Sequence, residues 1–189
     1  MAKRDLKKNK LNKIQKRAQR RMLLHSLKPL LFAFIAWFVV NSIVHIPVIK
    51  EPFNAFFINF TTHSVYWFGK IFFIPIEMPA VPYLTLKGFN MKVIMECTAY
   101  TFYIFAVAVV VFARWPLKHK LFSLIFLLTG ILFINIMRFI VVGYVGTIRP
   151  DAVDFTHDIV WNVLFGLMVF GLWFMREIKA RRLMEEAGS

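Results

Sequence analysis

The chain has 189 residues, 59% of them hydrophobic, with a mean hydropathy of +0.61; this is too apolar for a soluble domain and implies solvation by lipid. Its 24 Lys and Arg against 10 Asp and Glu leave a formal charge of +14, and a single cysteine, Cys97, excludes an intramolecular disulfide and therefore a stapled secreted scaffold. In a soluble protein such a charge would suggest nucleic acid, but here the cations flank apolar runs.

Eleven cations fall in residues 1–28, which read as a basic cytoplasmic arm that fixes orientation and grips anionic lipid headgroups. A nucleic-acid-binding arm is the weaker alternative, because a full apolar span adjoins it. The charged stretch is too long, and the following run too long and without a small-residue cleavage site, for a removable signal peptide. Pro29 to Ile49 then predicts a first membrane-spanning helix, at the roughly 20 residues a bilayer requires. Phe53 to Ile76 is apolar but interrupted by Asn54, Asn59, Thr61, Thr62, His63, Ser64 and Lys70. A single crossing there would put either the basic arm or Cys97 on the wrong side, so it is expected to be an interfacial or re-entrant helix at the outer face.

From Tyr83 to Ile94 apolar and polar residues alternate around Lys87-Gly88, which predicts a short outer hairpin. Thr98 to Ala113, Leu121 to Val145 and Phe155 to Phe174 complete four expected spans. The link Arg114 to Lys120 carries three cations and is placed in the cytoplasm, and Arg176, Lys179, Arg181 and Arg182 follow the last run. The expected fold is therefore an all-α polytopic membrane protein: residues 29–176 embedded, 177–189 a basic cytoplasmic tail, and both termini inside. Alternation puts Cys97 and the loop from Gly146 to Asp154 outside.

Ionisable groups inside the membrane are costly, so each is a functional candidate. Arg138 lies about two turns below the outer end of its span with Asn135 on the same face; snorkelling to the interface is the bland alternative. Cys97 sits where the hairpin meets a helix start, with Glu96 and Thr98 as candidate caps. There it feels the positive end of the helix dipole, although Glu96 opposes a thiolate unless it points away. A small buried hydrophobe is the ordinary fate of such a cysteine. His157 lies in the first turn of the last span with Asp154 as the expected N-cap, and a merely interfacial histidine is its bland reading. Together Cys97, Arg138 and His157 supply nucleophile, anion stabiliser and proton carrier at one face. His25, His45, His63 and His119 read as interfacial or loop residues, and Tyr66, Trp67, Trp115 and Trp173 as a boundary belt. No metal-ligand cluster, P-loop, dinucleotide turn or nucleophile elbow occurs, so neither a cofactor nor a metal is expected.

Three short segments carry a family resemblance. Glu96-Cys97-Thr98-Ala99 resembles the cysteine box of the exosortase and archaeosortase membrane transpeptidases, where a small residue, often glycine, stands at the place of Ala99. Asn135-Ile136-Met137-Arg138 is similar to the family's N-x-x-R, and Phe155-Thr156-His157 to its histidine box. The resemblance runs from about Met91 to Phe174, and the chain is similar to the compact members. It implies a cysteine transpeptidase with Cys97, Arg138 and His157 catalytic and Glu96, Asn135 and Thr98 in support. The implied partner is a secreted protein with a C-terminal sorting signal, namely a short motif, one transmembrane helix and a basic cluster. An acceptor nucleophile that the sequence does not identify would then receive the cleaved protein. Two other readings stay open: a small transporter or channel subunit with Arg138, Asp158 and Asn162 along a polar path, and a scaffold whose basic arm recruits partners or lipid.

Overall fold

In a computed structural model of the chain, the structure describes residues 28–157 and 161–187, without the side chains of Asn162, Arg181 and residues 184–187. The basic arm lies outside the described residues except for Lys28, and so do Asp158 and the side chain of Asn162. The described chain is predominantly helical. Helices α1 (Lys28–Val44) and α2 (Pro47–Ile71) are followed by strands β1 (Ile76–Ala80), β2 (Tyr83–Leu86) and β3 (Phe89–Lys92). Then come a 3-10 turn (Met95–Thr98), α3 (Tyr100–Phe112), α4 (Leu117–Ile148), a 3-10 turn (Pro150–Ala152), α5 (Val153–Phe155) and α6 (Trp161–Ala187).

Helix α4 is long and apolar enough to cross a bilayer by itself, whereas α1 and α2 pass that test only together, across a 100° bend. Pro47 explains the bend. A proline disfavours helical backbone in the residue before it, and Ile46 is extended, with φ −65° and ψ 129°. The carbonyl of Asn41 accepts from the Nδ1–H of His45 at 2.6 Å, which occupies an acceptor the broken helix no longer pairs. The first expected span thus ends at Val44, and the interrupted segment after it is a helix with the sharp entry of a re-entrant element or broken span. Two further expected spans differ in extent. α3 has 13 residues, roughly 20 Å of helix, and the described part of the last helix begins at Trp161. Helix α6 continues past residue 177 to Ala187.

The expected hairpin is present but belongs to a three-stranded antiparallel sheet ordered β1-β2-β3. The expectation of a two-stranded hairpin missed β1, whose sequence Ile76-Glu-Met-Pro-Ala80 gives a weak alternation interrupted by Pro79. Lys87 and Gly88 both have positive φ, 47° and 85°, as a type I′ turn requires. One face of the sheet, through Leu84, Leu86 and Met91, packs into a core shared with Val65 of α2 and Ile136, Phe139 and Ile140 of α4. Full burial of a leucine contributes on the order of 1.5–3 kcal/mol where it leaves water, so this face anchors the hairpin. A second core joins α3, α4 and α6 through Ala106, Val110, Leu127, Ile131, Phe165 and Val169. The indole N–H of Trp37 ties α1 to α3 by donating to the Thr101 carbonyl at 3.0 Å.

The hairpin reaches α4 because two glycines one turn apart leave room. A Cβ at Gly143 would meet Leu86 and Met91 at 3.1–3.2 Å, and one at Gly146 would lie 2.4 Å from the Phe89 ring. Gly146→Ala is therefore expected to displace Phe89 and to cost about 1–3 kcal/mol by overpacking, seen as a lower Tm in detergent. Gly166→Ala, where an added Cβ meets nothing within 4 Å, should leave Tm unchanged or higher.

Candidate active site

The 3-10 turn carrying Cys97 is held by local bonds. The Cys97 N–H donates to the Ile94 carbonyl at 3.0 Å, and the Thr98 hydroxyl donates to the Met95 carbonyl at 2.8 Å. Thr98 thus tightens the turn from within and does not cap α3. Ala99 takes the capping position with no side-chain bond, in the left-handed region at φ 58° and ψ 18°, where glycine is favoured because it lacks a Cβ. This strain gives a physical reason for the glycine that commonly stands at this place in the family the box resembles. Glu96 is exposed and lines no part of the cavity described below. The carboxylate and hydroxyl expected as caps do neither job.

Helix α4 brings two side chains to this turn. Asn135, only 1% exposed, donates from Nδ2 to the Cys97 carbonyl at 3.0 Å and so fixes the turn directly against the helix; its Oδ1 is buried without a partner. Arg138, 6% exposed, is turned into the protein and donates from Nη2 to His157 Nε2 at 2.8 Å, which removes the snorkelling alternative. An arginine at mid-helix is stable there only with acceptors around it.

His157 is reached through two short elements. After α4 stops before Pro150, the chain forms a 3-10 turn and α5, and His157 follows in a π-helical turn with residues 158–160 outside the described region. Asp154 lies within α5, whose capping position is Ala152 with no side-chain bond, so it is not the N-cap of a long final helix. Single π turns recur at functional sites because they re-aim one side chain. Here Nε2 lies 3.0 Å from Cys97 Sγ and 2.8 Å from Arg138 Nη2. A guanidinium can only donate, so Nε2 is the unprotonated nitrogen, the ring proton sits on Nδ1, and the thiol of Cys97 shares the same lone pair. The free cysteine is buried. The three residues expected from sequence are thus brought together, with Asn135 and Thr98 supporting the turn and Glu96 apart from it.

Beside the thiol lies a cavity of about 200 Å³ bounded by Cys97, Arg138 and His157, by Phe139 and Val142 of α4, by Val153, and by the whole of β3. The sequence reading gave the hairpin no part in the site. The signal was available in the pairing of an alternating segment with two glycines three residues apart, Gly143 and Gly146, on a helix that also carries Arg138.

A second polar cluster sits about 28 Å along α4. Arg176, placed by sequence among the juxtamembrane cations, is 6% exposed and lies over the rings of Phe122 and Phe126 at 4.8 and 5.6 Å. It donates from Nε to the Ser123 hydroxyl at 3.0 Å and from Nη2 to His119 Nδ1 at 3.3 Å, while His119 Nε2–H donates to the Arg176 carbonyl at 3.3 Å. His119 is thus buried between helices. Trp115 is buried as well and donates to Glu177 Oε2 at 2.9 Å, whereas Trp67 is exposed. These bonds clamp the α3–α4 turn and α4 to α6.

Comparison with protein-family models, curated sequences and solved structures finds no match to this chain.

The left-handed backbone at Ala99 makes a direct prediction. Ala99→Gly should leave Tm within about 1 kcal/mol of the parent or raise it, because relief of strain offsets the lost methyl. Ala99→Val should lower it by more than the 1–2 kcal/mol that left-handed backbone already costs an ordinary residue. Thermal unfolding in detergent measures both.

Proposed function

We propose that this chain is a membrane-embedded cysteine transpeptidase or peptidase of the exosortase kind, with Cys97 as nucleophile, His157 as proton carrier and Arg138 as anion stabiliser. The observation that carries the reading is one nitrogen, His157 Nε2, within 3.0 Å of the thiol and 2.8 Å of a buried guanidinium. The three residues also belong to the motif segments that resemble that family.

The chemistry follows from the sharing of that nitrogen. As Cys97 Sγ attacks a peptide carbonyl, its proton passes to Nε2 and the sulfur–carbon bond forms. Protonated Nε2 no longer accepts from Arg138. The guanidinium N–H then faces a like charge and turns to the nearest new acceptor, the oxyanion of the tetrahedral intermediate. His157 returns its proton to the departing amine as the carbon–nitrogen bond breaks, leaving a thioester. An amine acceptor, or water, cleaves the thioester and restores the thiol. Asn135 acts through the Cys97 carbonyl and is a positioning residue. The substrate is a secreted protein with a C-terminal motif, an apolar helix and a basic cluster, and its scissile peptide meets the thiol at the outer interface.

The reading includes a multi-pass plasma-membrane topology with cytoplasmic termini, the basic arm on anionic lipid and the hairpin outside. Its charge basis is the cationic arm and the Arg114–Lys120 link on one side. In a Cys97→Ala background in intact cells, Lys87→Cys should react with a membrane-impermeant maleimide, and Lys118→Cys only after permeabilisation. The reverse pattern would overturn the orientation.

The activity is tested by co-expression with secreted proteins of the same genome that end in such a tripartite tail. Processing should stop with Cys97→Ala and fall by about 10²–10⁴-fold with His157→Ala, and by about 10²–10³-fold with Arg138→Ala. Unchanged processing by Cys97→Ala would sink the mechanism and favour a transporter or scaffold.

A further inference from the structure

Strand β3 has a neighbour on one side only. The type I′ turn at Lys87-Gly88 closes on the paired residues Leu86 and Phe89, and the Val93 N–H donates to the Pro82 carbonyl at 2.9 Å. Both facts set the same alternation. Phe89, Met91 and Val93 direct their backbone groups to β2, so Asn90 and Lys92 direct theirs to the open edge. Among the described residues no hydrogen bond occupies those outward groups. Unpaired edges are a template for another strand and are normally blunted or covered. This one instead lines the cavity that holds Cys97 and His157.

We propose that the β3 edge is the substrate-docking strand: an extended peptide adds to the sheet as a fourth strand, pairing its backbone with Asn90 and Lys92, and this pairing delivers the scissile carbonyl to Cys97. The proposal rests on the cysteine-peptidase reading of Cys97 and adds how the peptide is held. Two edge residues offer two N–H donors and two carbonyl acceptors, so residues i and i+2 of the peptide receive up to four backbone bonds and residue i+1 receives none. Backbone pairing gives affinity irrespective of side chain. Selectivity comes from the alternate side chains, because the cavity floor under the edge is the apolar pair Phe139 and Val142. The same floor rigidly supports the strand, since Phe89 and Met91 pack on the glycine face of α4.

The test uses the full chain in detergent micelles and the probe acetyl-Val-Ala-Val-Ala chloromethyl ketone. In labelling, the Cys97 sulfur forms a bond to the methylene carbon, chloride leaves, and the thiol proton passes to His157. Rates are read by intact mass for the parent probe and for four probes N-methylated at one residue each. Strand docking predicts alternation: methylation at two residues of one parity slows labelling at least tenfold, and at the intervening residue changes it less than twofold. Equal effects at every position, or none, overturn the docking mode.

Asn90→Pro and Lys92→Pro remove an outward N–H at positions where an edge strand accepts proline. Each should slow the peptide probe at least tenfold relative to iodoacetamide on the same protein. An unchanged ratio in both variants also overturns the proposal. Failure of the underlying reading looks different: His157→Gln would then leave the rate of iodoacetamide on Cys97 as it is in the parent, and an alternating probe pattern would be docking without catalysis.

Discussion

A guanidinium in the middle of an apolar helix costs several kcal/mol unless acceptors meet it, and Arg138 imposes that demand on the elements around the cysteine turn. Helix α4 has no polar neighbour of its own to satisfy it beyond Asn135, which is committed to the Cys97 carbonyl. One acceptor comes from outside the helix, when the chain turns back after Ile148 and places His157 Nε2 against Nη2. Burying the cation thereby brings the imidazole to the thiol. Structural satisfaction and the proposed proton transfer use one lone pair, so on that proposal a proton moving onto Nε2 displaces the Arg138 N–H that this nitrogen accepts.

Helix α4 is the common frame. Its face carries Asn135 and Arg138 toward the cysteine turn, and one to two turns further Gly143 and Gly146 form the seat for the hairpin. At its other end Ser123 and His119 hold Arg176 of α6. Each end thus has a buried arginine held by polar partners: His157 meets Arg138 at one end, and a histidine, a hydroxyl and two aromatic faces meet Arg176 at the other. A rigid helix between two such clamps keeps the relative positions of β3, the cysteine turn and the histidine fixed, and catalytic constellations need that preorganisation.

The hairpin illustrates how local rules reach function. Alternation and Lys87-Gly88 specify a type I′ hairpin, and its register decides which backbone groups pair with β2 and which face out. A slip of one residue would turn Leu84, Leu86 and Met91 away from α4 and direct different edge groups to the cavity. Burial of that apolar face therefore also sets the register of the proposed docking edge.

Composition and periodicity in the sequence determined that the chain is mostly helical and apolar and that a hairpin precedes the cysteine, and they marked Phe53 to Ile76 as irregular. They also singled out Cys97, Arg138 and His157, because ionisable residues in apolar runs are few enough to be examined one by one. Only the tertiary structure decided the rest. Strand β1 has too short and interrupted a pattern to be read alone, and its pairing with β2 is a non-local fact. Thr98 and Asp154 looked like caps by residue type, but capping depends on backbone angles that Ala99 and the α5 turn set otherwise. Arg176, His119 and Trp115 are read from charged neighbours in sequence, whereas in space Arg176 meets His119 and the rings of α4, and Trp115 meets Glu177. The meeting of a thiol, an imidazole nitrogen and a guanidinium within about 3 Å depended on three chain segments at once, and sequence periodicity reports only one segment at a time.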